Sequence, residues 1–308
     1  MIYEQLMGGM GNQIFIYAFC KKLVQSTGQE AILYFDSEDA RQLEISKFLL
    51  DQRIRIENKK FLEGYDGNTY IYRLFRKLIE HTRRGAFQSF LIKLSNRLGI
   101  VFVLDGFYDI DFGTLQKRKK IIVNGFFQSQ KYFEGMEEDI RNEFNGENLN
   151  GIDLPPNVVS KLNDVRNSNS TCVHIRRGDY LDSKYRNKFL VCTEEYYKRA
   201  MEYINVEQDR PRFVVFSDDI HWVINNYKFL KRYDVDFVDN GGELAVLYDF
   251  LLMKECKHFI LSNSTLSWWA QFLSDNGKKV VVAPSRWLND DYGNKDIYQD
   301  TWHLIDPD

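Results

Sequence analysis

Cysteine is scarce in this chain: Cys20, Cys172, Cys192 and Cys256 are the only four in 308 residues, far apart and without a Cys-x-x-Cys pair. That spacing supports neither a disulfide framework nor a thiolate zinc site, and suits a reducing compartment. Long apolar runs are also missing. None approaches the roughly 18 to 20 residues of a membrane span, and the first residues lack the basic, apolar and cleavage regions of a signal peptide, so a cytoplasmic protein is expected. There is no excess of positive charge: the net charge is -3, which argues against general nucleic-acid binding. Repeats and low-complexity segments are absent. The chain has 44% hydrophobic and 28% charged residues, the balance of a globular protein, and enough length for two domains.

One segment departs from this average. Between Ile71 and Ile100 lie Arg73, Arg76, Lys77, Arg83, Arg84, Lys93 and Arg97 against Glu80 alone, interleaved with Leu74, Phe75, Leu78, Ile79, Phe87, Phe90, Leu91 and Leu94. Such basic amphipathic helices either present a solvated face or lie on an anionic membrane surface, giving a peripheral contact with the inner membrane.

The stretch Cys172-Val173-His174-Ile175-Arg176-Arg177-Gly178-Asp179-Tyr180 organises the rest. Its β-favouring residues end at a Gly-Asp turn, so the two arginines fall at a strand's carboxyl end, where open α/β sheets bind ligands. Alternation puts His174 and Arg176 on one side and Arg177 on the other. Charges so placed need compensation, either by a diphosphate or by internal carboxylates. An integrin-type Arg-Gly-Asp loop fits poorly, because it would need an exposed tip.

Near the N-terminus, a candidate strand at Ile2–Leu6 leads through Gly8-Gly9-Met10-Gly11-Asn12-Gln13 into an apolar-periodic helix with Ile14, Phe15, Ala18, Phe19 and Leu23. Strand, glycine loop and helix bring backbone N–H groups up to an anion. A nicotinamide reading would use Gly9, Gly11 and Asp36, but Ile14 stands where its third glycine belongs. From Ala40 to Lys120 no chemistry is legible. A strand over 120–127 and a helix from Gln128 to about Phe144 follow, and the Gly-, Asn- and Pro-rich stretch 145–156 is the expected boundary between domains 1–150 and 151–308. After it, strands at 171–176, 212–217, 235–238, 258–261 and 279–283 alternate with helices near 194–204, 220–230, 243–255 and 265–274, implying a parallel, doubly wound sheet. The tail from Pro284, with Trp287 and Trp302, would pack back across both halves.

Ser262-Asn263-Ser264-Thr265 opens an apolar helix and so offers a hydroxyl-rich cap and a positive dipole end, suited to phosphate or serving only as a cap. Asp249, inside an apolar helix, needs a donor, which a guanine ring or a neighbouring cation would supply. Asp218 and Asp219 read first as helix caps. Asp109-Ile110-Asp111 and Asp234-Val235-Asp236 are metal-type pairs more simply read as loop or strand-edge charge.

Taken together, Gly-Gly-Met-Gly-Asn-Gln at 8–13, Gly-Phe-Phe-Gln-Ser-Gln-Lys-Tyr-Phe at 125–133, His-Ile-Arg-Arg-Gly-Asp-Tyr at 174–180, Phe-Ser-Asp-Asp at 216–219 and Ser-Asn-Ser-Thr-Leu-Ser-Trp-Trp at 262–269 resemble the blocks of the bacterial α-1,2-fucosyltransferases of glycosyltransferase family 11. The resemblance implies an α/β, GT-B-like fold of two Rossmann-like domains facing a cleft, with GDP-β-L-fucose as donor, no cofactor and no required metal. It implies inverting transfer to the 2-hydroxyl of a terminal galactose, in O-antigen or oligosaccharide synthesis. Carried over residue by residue, His174, Arg176 and Asp249 match nucleotide-holding positions, Ser264 and Thr265 phosphate contacts, and Asn12 the glycine-loop asparagine near the phosphate. Arg176 and Asn12 are the expected catalytic residues; Gly9, Gly11, Arg177, Asp179, Asp218 and Asn263 complete the expected donor set. Met10 replaces the usual leucine and Leu266 the usual phenylalanine. The general base is open among Asp105, Asp109, Asp179 and the departing phosphate. A GDP-sugar transferase of other linkage or acceptor, such as a protein O-fucosyltransferase, and a non-catalytic glycan-binding protein are the alternatives.

Overall fold

The computed structural model describes residues 1–38, 41–60, 69–82, 86–98, 100–102, 110–289 and 295–308, in two compact units, 1–143 and 144–308. The first unit holds five parallel strands, β1 (Ile2–Leu6), β2 (Ala31–Phe35), β3 (Ile54–Asn58), β4 (Ile100–Phe102) and β5 (Ile121–Asn124), ordered β3-β2-β1-β5-β4. Helix α1 (Met10–Thr27) follows β1 as the glycine-loop pattern requires. It is buried on nearly every side from Met10 to Val24, which a helix apolar all round tolerates and an amphipathic one does not. Gly28 ends it in the left-handed conformation (φ 68°), donating its N–H to the Val24 carbonyl. Two further helices, α2 (Thr69–His81) and α3 (Ala86–Arg97), bury Phe75, Ile79, Leu91 and Ile92 in a cluster with Ile32, Tyr34 and Ile122 of the sheet. A short helix α4 (Phe112–Gln116) is capped by Asp111, which accepts the Thr114 N–H.

Local structure differs from expectation between 120 and 144. The strand stops at Asn124, and Phe127 adopts φ 52°, a costly conformation for a bulky residue, held by its stack on Phe19 at 4.2 Å. The single helix expected from 128 is a 3-10 turn at Gln130–Tyr132 and a helix α5 (Glu137–Glu143), divided at Gly135 with φ 82°. A positive φ cannot continue a right-handed helix.

In the second unit all five expected strands are present as β6 (Ser170–Ile175), β7 (Arg212–Ser217), β8 (Val235–Phe237), β9 (His258–Ile260) and β10 (Val281–Pro284). The tail contributes a sixth, β11 (His303–Ile305), parallel to β10, and Trp287 and Trp302 pack within the same unit at 6.5 Å. The order β11-β10-β9-β6-β7-β8 is, counted from this sheet's own first strand, the 3-2-1-4-5-6 order of dinucleotide-binding Rossmann sheets. Helix α6 (Pro156–Asn167), unread in the sequence, precedes β6. Helix α7 (Arg186–Phe189) is one turn; α8 (Glu194–Glu207) packs Tyr196, Tyr197, Ala200, Met201 and Ile204 against Val173, Ile175, Phe213 and Val215 of the sheet. The helix expected over 220–230 is α9 (Ile220–Asn226) plus a 3-10 turn at Lys228–Arg232; α10 (Ala245–Lys254) and α11 (Thr265–Leu273) complete the unit.

Candidate active site

Within the second unit the strand order reverses between β6 and β9, which run parallel, and a switch point of this kind opens a crevice beyond the strands' carboxyl ends. The loops leaving these two strands carry the Arg176 and Thr265 stretches, and side chains tie them together. His174, 4% exposed, places Nδ1 3.1 Å from Ser262 Oγ, and its backbone carbonyl accepts the Tyr197 hydroxyl at 3.1 Å. Burial first, and Arg176 second, pull the imidazole pKa down to about 3, so it is neutral at physiological pH. Tyr180 donates its hydroxyl to the Asn263 carbonyl at 2.9 Å, and the Arg176 guanidinium lies 5.5 Å from the Tyr180 ring centre.

Arg176 is compensated by two carboxylates: Nη2 meets Asp179 Oδ1 at 2.7 Å and Nη1 meets Asp218 Oδ2 at 2.9 Å. Asp218 also accepts the Arg177 backbone N–H at 2.8 Å. A guanidinium has five N–H donors in a planar fork, so these two ion pairs fix its plane and leave donors for a further anion. Gly178 leaves room for this pairing, because a Cβ would lie 2.3 Å from Asp218 Oδ2 and push that carboxylate away. Arg177 turns to the other side, as alternation requires; its guanidinium carbon sits 3.1 Å from the Trp222 ring centre and Nε 3.4 Å from Asp219 Oδ2. The internal-carboxylate alternative for the two arginines is therefore realised, and Arg177 is engaged in packing rather than beside Arg176.

Beyond β9, Asn263 spends its amide on the Phe189 and Trp287 carbonyls at 2.9 and 3.0 Å, so it positions loops. Ser264 is the N-cap of α11, its Oγ accepting the Leu266 N–H at 3.3 Å, and Thr265 is the first helical residue. The helix start thus presents backbone donors and the positive end of its dipole at the switch point. Asp249, on α10, accepts the Asn240 amide at 2.9 Å; burial chiefly, with Asp239 adding to it and Asn240 opposing, raises its pKa to about 7. Asp236 is paired with Lys161 and with Arg212 at 2.8 Å, which answers the Asp234/Asp236 pair as strand-edge charge. Among the described residues no cluster of three or more His, Cys, Asp or Glu could hold a metal ion.

The corresponding place in the first unit lies between β1 and β5. Gly8 has φ 77°, and a Cβ there would be 2.6 Å from Asn12 Nδ2. Gly9 caps α1 without a side-chain bond, and nothing lies within 4 Å of where its Cβ would be; Gly11 is buried in the first helical turn. Asn12 Oδ1 accepts the Gln128 amide at 2.8 Å, across the two loops. Gln13 is fully buried and bridges the Gly8 and Gln42 carbonyls and the Glu44 N–H, fixing the loop. Ile14 is fully buried, so the third glycine of a dinucleotide fingerprint is replaced by core.

The model of glycosyl transferase family 11 matches residues 1–306. The chain belongs to that family. It is 28% identical to the O-antigen biosynthesis glycosyltransferase WbnK of Escherichia coli, over 98% of this chain and 99% of that one. It is also 28% identical to an alpha-1,2-colitosyltransferase of Escherichia coli, over 94% and 92%. In fold it is similar to the fucosyltransferase NodZ from Bradyrhizobium, with a TM-score of 0.51 at 14% identity, covering 88% of this chain and 91% of that one. The family 11 chain is thus a glycosyltransferase with two GT-B-type parallel-sheet units.

For this family 11 enzyme, four positioning residues escaped the sequence reading. Tyr180 and Gln128 lie inside quoted blocks, but nothing in a string of residues shows that they bridge loops 83 and 116 positions away. Trp222 and Asn240 lie outside every block and are found only through their partners Arg177 and Asp249. Asp105 and Asp109 lie outside the described residues, and Asp179 uses one carboxylate oxygen on Arg176.

Proposed function

We propose that this enzyme transfers L-fucose, with inversion, from GDP-β-L-fucose to the 2-hydroxyl of a terminal galactose, without a metal ion, in O-antigen or oligosaccharide synthesis. The observation that carries the reading is the oriented guanidinium of Arg176 at a Rossmann switch point whose other loop opens helix α11. In the displacement, the acceptor oxygen bonds to C1 of fucose as the C1–O bond to the β-phosphate breaks, and the electron pair leaves with GDP. Charge grows on that phosphate, so preorganised donors aimed at it lower the barrier. Arg176 and the Thr265 N–H at the positive end of α11 fill this role, and the acceptor proton passes to the departing phosphate or to a carboxylate. Asp249 receives the guanine N1–H and N2–H, with Asn240 holding its other side. The first unit binds the acceptor, and Asn12 keeps the role near the phosphate that the sequence blocks imply for it.

Support for donor and linkage comes from the five sequence blocks, and for O-antigen from the full-length relative of that name. A second reading follows from the alpha-1,2-colitosyltransferase relative: colitose is fucose lacking the 3-hydroxyl, so the same site takes GDP-colitose if it makes no hydrogen bond to that hydroxyl. The test is transfer from each donor to a panel of β-galactosides, with and without chelator. The expected result is an α-1,2-fucosyl product that persists with chelator and a strong preference for GDP-fucose. Product from GDP-colitose alone would replace the donor, and no product from either would refute the reading.

A further inference from the structure

We propose that helices α2 and α3 form a docking surface for an anionic lipid bilayer. In α2, Phe75 and Ile79 are buried and Ile71 half-buried. Tyr70, Leu74 and Leu78 recur every four residues on the next stripe, about 100° round the helix, and are 84%, 56% and 40% exposed. Lys77, also exposed, borders that stripe on its far side. The same sequence of faces recurs in α3. Gln88, Leu91, Ile92 and Ser95 are buried; Phe87, Phe90 and Leu94 beside them are 62%, 57% and 37% exposed, with Leu98 at 52% just past the helix end. Exposed Lys93 and Arg97 come next. Each helix therefore has an apolar sector wider than the sheet covers, edged by cations.

Seven of the sixteen exposed large hydrophobic residues described fall within residues 70–98, a cluster rather than the isolated exposure that needs no explanation. The helices are built to hold this shape: buried Gln88 donates to the Ile79 and Thr82 carbonyls at 3.1 and 3.0 Å, closing the end of α2 from α3. No described helix is long and apolar enough to cross a membrane, so the contact would lie in the interface plane.

Charge selects the occupant. Over 69–97 the sequence has seven cations and one acid, +6, within a chain of -3, so the remaining residues carry -9. Two copies meeting face to face would set the exposed Lys77, Lys93 and Arg97 against the same cations, whereas an anionic bilayer attracts them and accepts the Leu and Phe side chains at the acyl boundary. At a surface, a Lys or Arg strengthens binding about five-fold.

The experiment is flotation of the full chain with vesicles of phosphatidylcholine alone or with about 30% phosphatidylglycerol. Binding is expected to the anionic vesicles only and to weaken in high salt. Lys93→Ala with Arg97→Ala should lower partition about thirty-fold, and Leu74→Ser with Phe90→Ser at least about ten-fold, while thermal unfolding and transfer to a soluble acceptor stay unchanged. Equal binding to both vesicle types, or none, overturns the proposal. Self-association abolished by Leu74→Ser and Phe90→Ser without vesicle binding overturns it in favour of a second copy. The alanine pair lies on exposed positions and keeps the test decisive if the serine pair misfolds. Failure here leaves glycosyl transfer untouched, and failure of transfer leaves vesicle binding measurable.

Discussion

Donor affinity should depend on pH through Asp249. Burial holds its carboxyl pKa at about 7 in the free enzyme, three pH units above an ordinary aspartate, and the Asn240 amide already satisfies one oxygen. A guanine ring presents two N–H donors on one edge, and an ionised carboxylate accepts both where a protonated one does not. With that pKa, about one molecule in eleven is ionised at pH 6 and about ten in eleven at pH 8, so affinity for GDP-fucose should rise about ten-fold across the range. His174, near 3, stays neutral throughout and adds no slope. The diphosphate of a nucleotide sugar is fully ionised at both ends, so calorimetric titration with GDP-fucose isolates the protein group. In Asp249→Asn the slope should vanish, and affinity at pH 8 should fall about ten- to hundred-fold, as loss of charge-assisted bonds of about 1.5 to 3 kcal/mol requires. Stability moves the opposite way. The folded pKa lies above the unfolded one, so the native state binds the extra proton between about pH 4 and 7; this contribution is complete below pH 4 and lost as pH rises through 7. The Tm decline from pH 6 to 8 should therefore be shallower in Asp249→Asn. A wild-type affinity flat from pH 6 to 8, or a slope that survives in Asp249→Asn, would refute the assignment.

Other expectations follow from the same site. Arg176→Ala should lower kcat/KM about 10²- to 10⁴-fold, as loss of two charge-assisted phosphate bonds implies, and Arg176→Lys nearly as far because the fork is lost; with the side chain 23% exposed, the fold should survive, and near-normal initial rates from folded protein would exclude the role. Gly178→Ala places Cβ 2.3 Å from Asp218 Oδ2, so it should displace Asp218 and cut turnover at least about ten-fold, with initial rates as the check. Tyr180→Phe removes the bond that joins the β6 and β9 loops and should cost about 1 to 3 kcal/mol in chemical unfolding; an unchanged midpoint would mean that the two loops hold each other without it. Gly8→Ala forces φ 77° on a residue with a Cβ 2.6 Å from Asn12 Nδ2, and should weaken donor turnover through Asn12 while leaving GDP-fucose affinity at Asp249 in place.

Much of this molecule was readable before any coordinates. Short runs rich in β-branched and aromatic residues, such as 171–176 and 212–217, read as strands, and their alternation with helices reads as a parallel sheet, because these follow from short-range backbone geometry and burial. The five blocks named the family, and the glycine loop and the Gly-Asp turn were legible as turns, but not that a Cβ at Gly8 or Gly178 would meet Asn12 or Asp218. What the residues could not disclose is long-range. The order of strands in each sheet and the addition of β11 from the tail depend on contacts between positions remote in sequence. The partners of the charged groups belong to the same class: Arg176 could have faced a diphosphate or two carboxylates, and only tertiary packing brought Asp179 and Asp218 to its two ends, Trp222 under Arg177 and Asn240 to Asp249. Residue type determined which atoms could donate or accept. The fold determined which of them meet, because a hydrogen bond or ion pair acts over about 3 Å and sequence distance does not measure that.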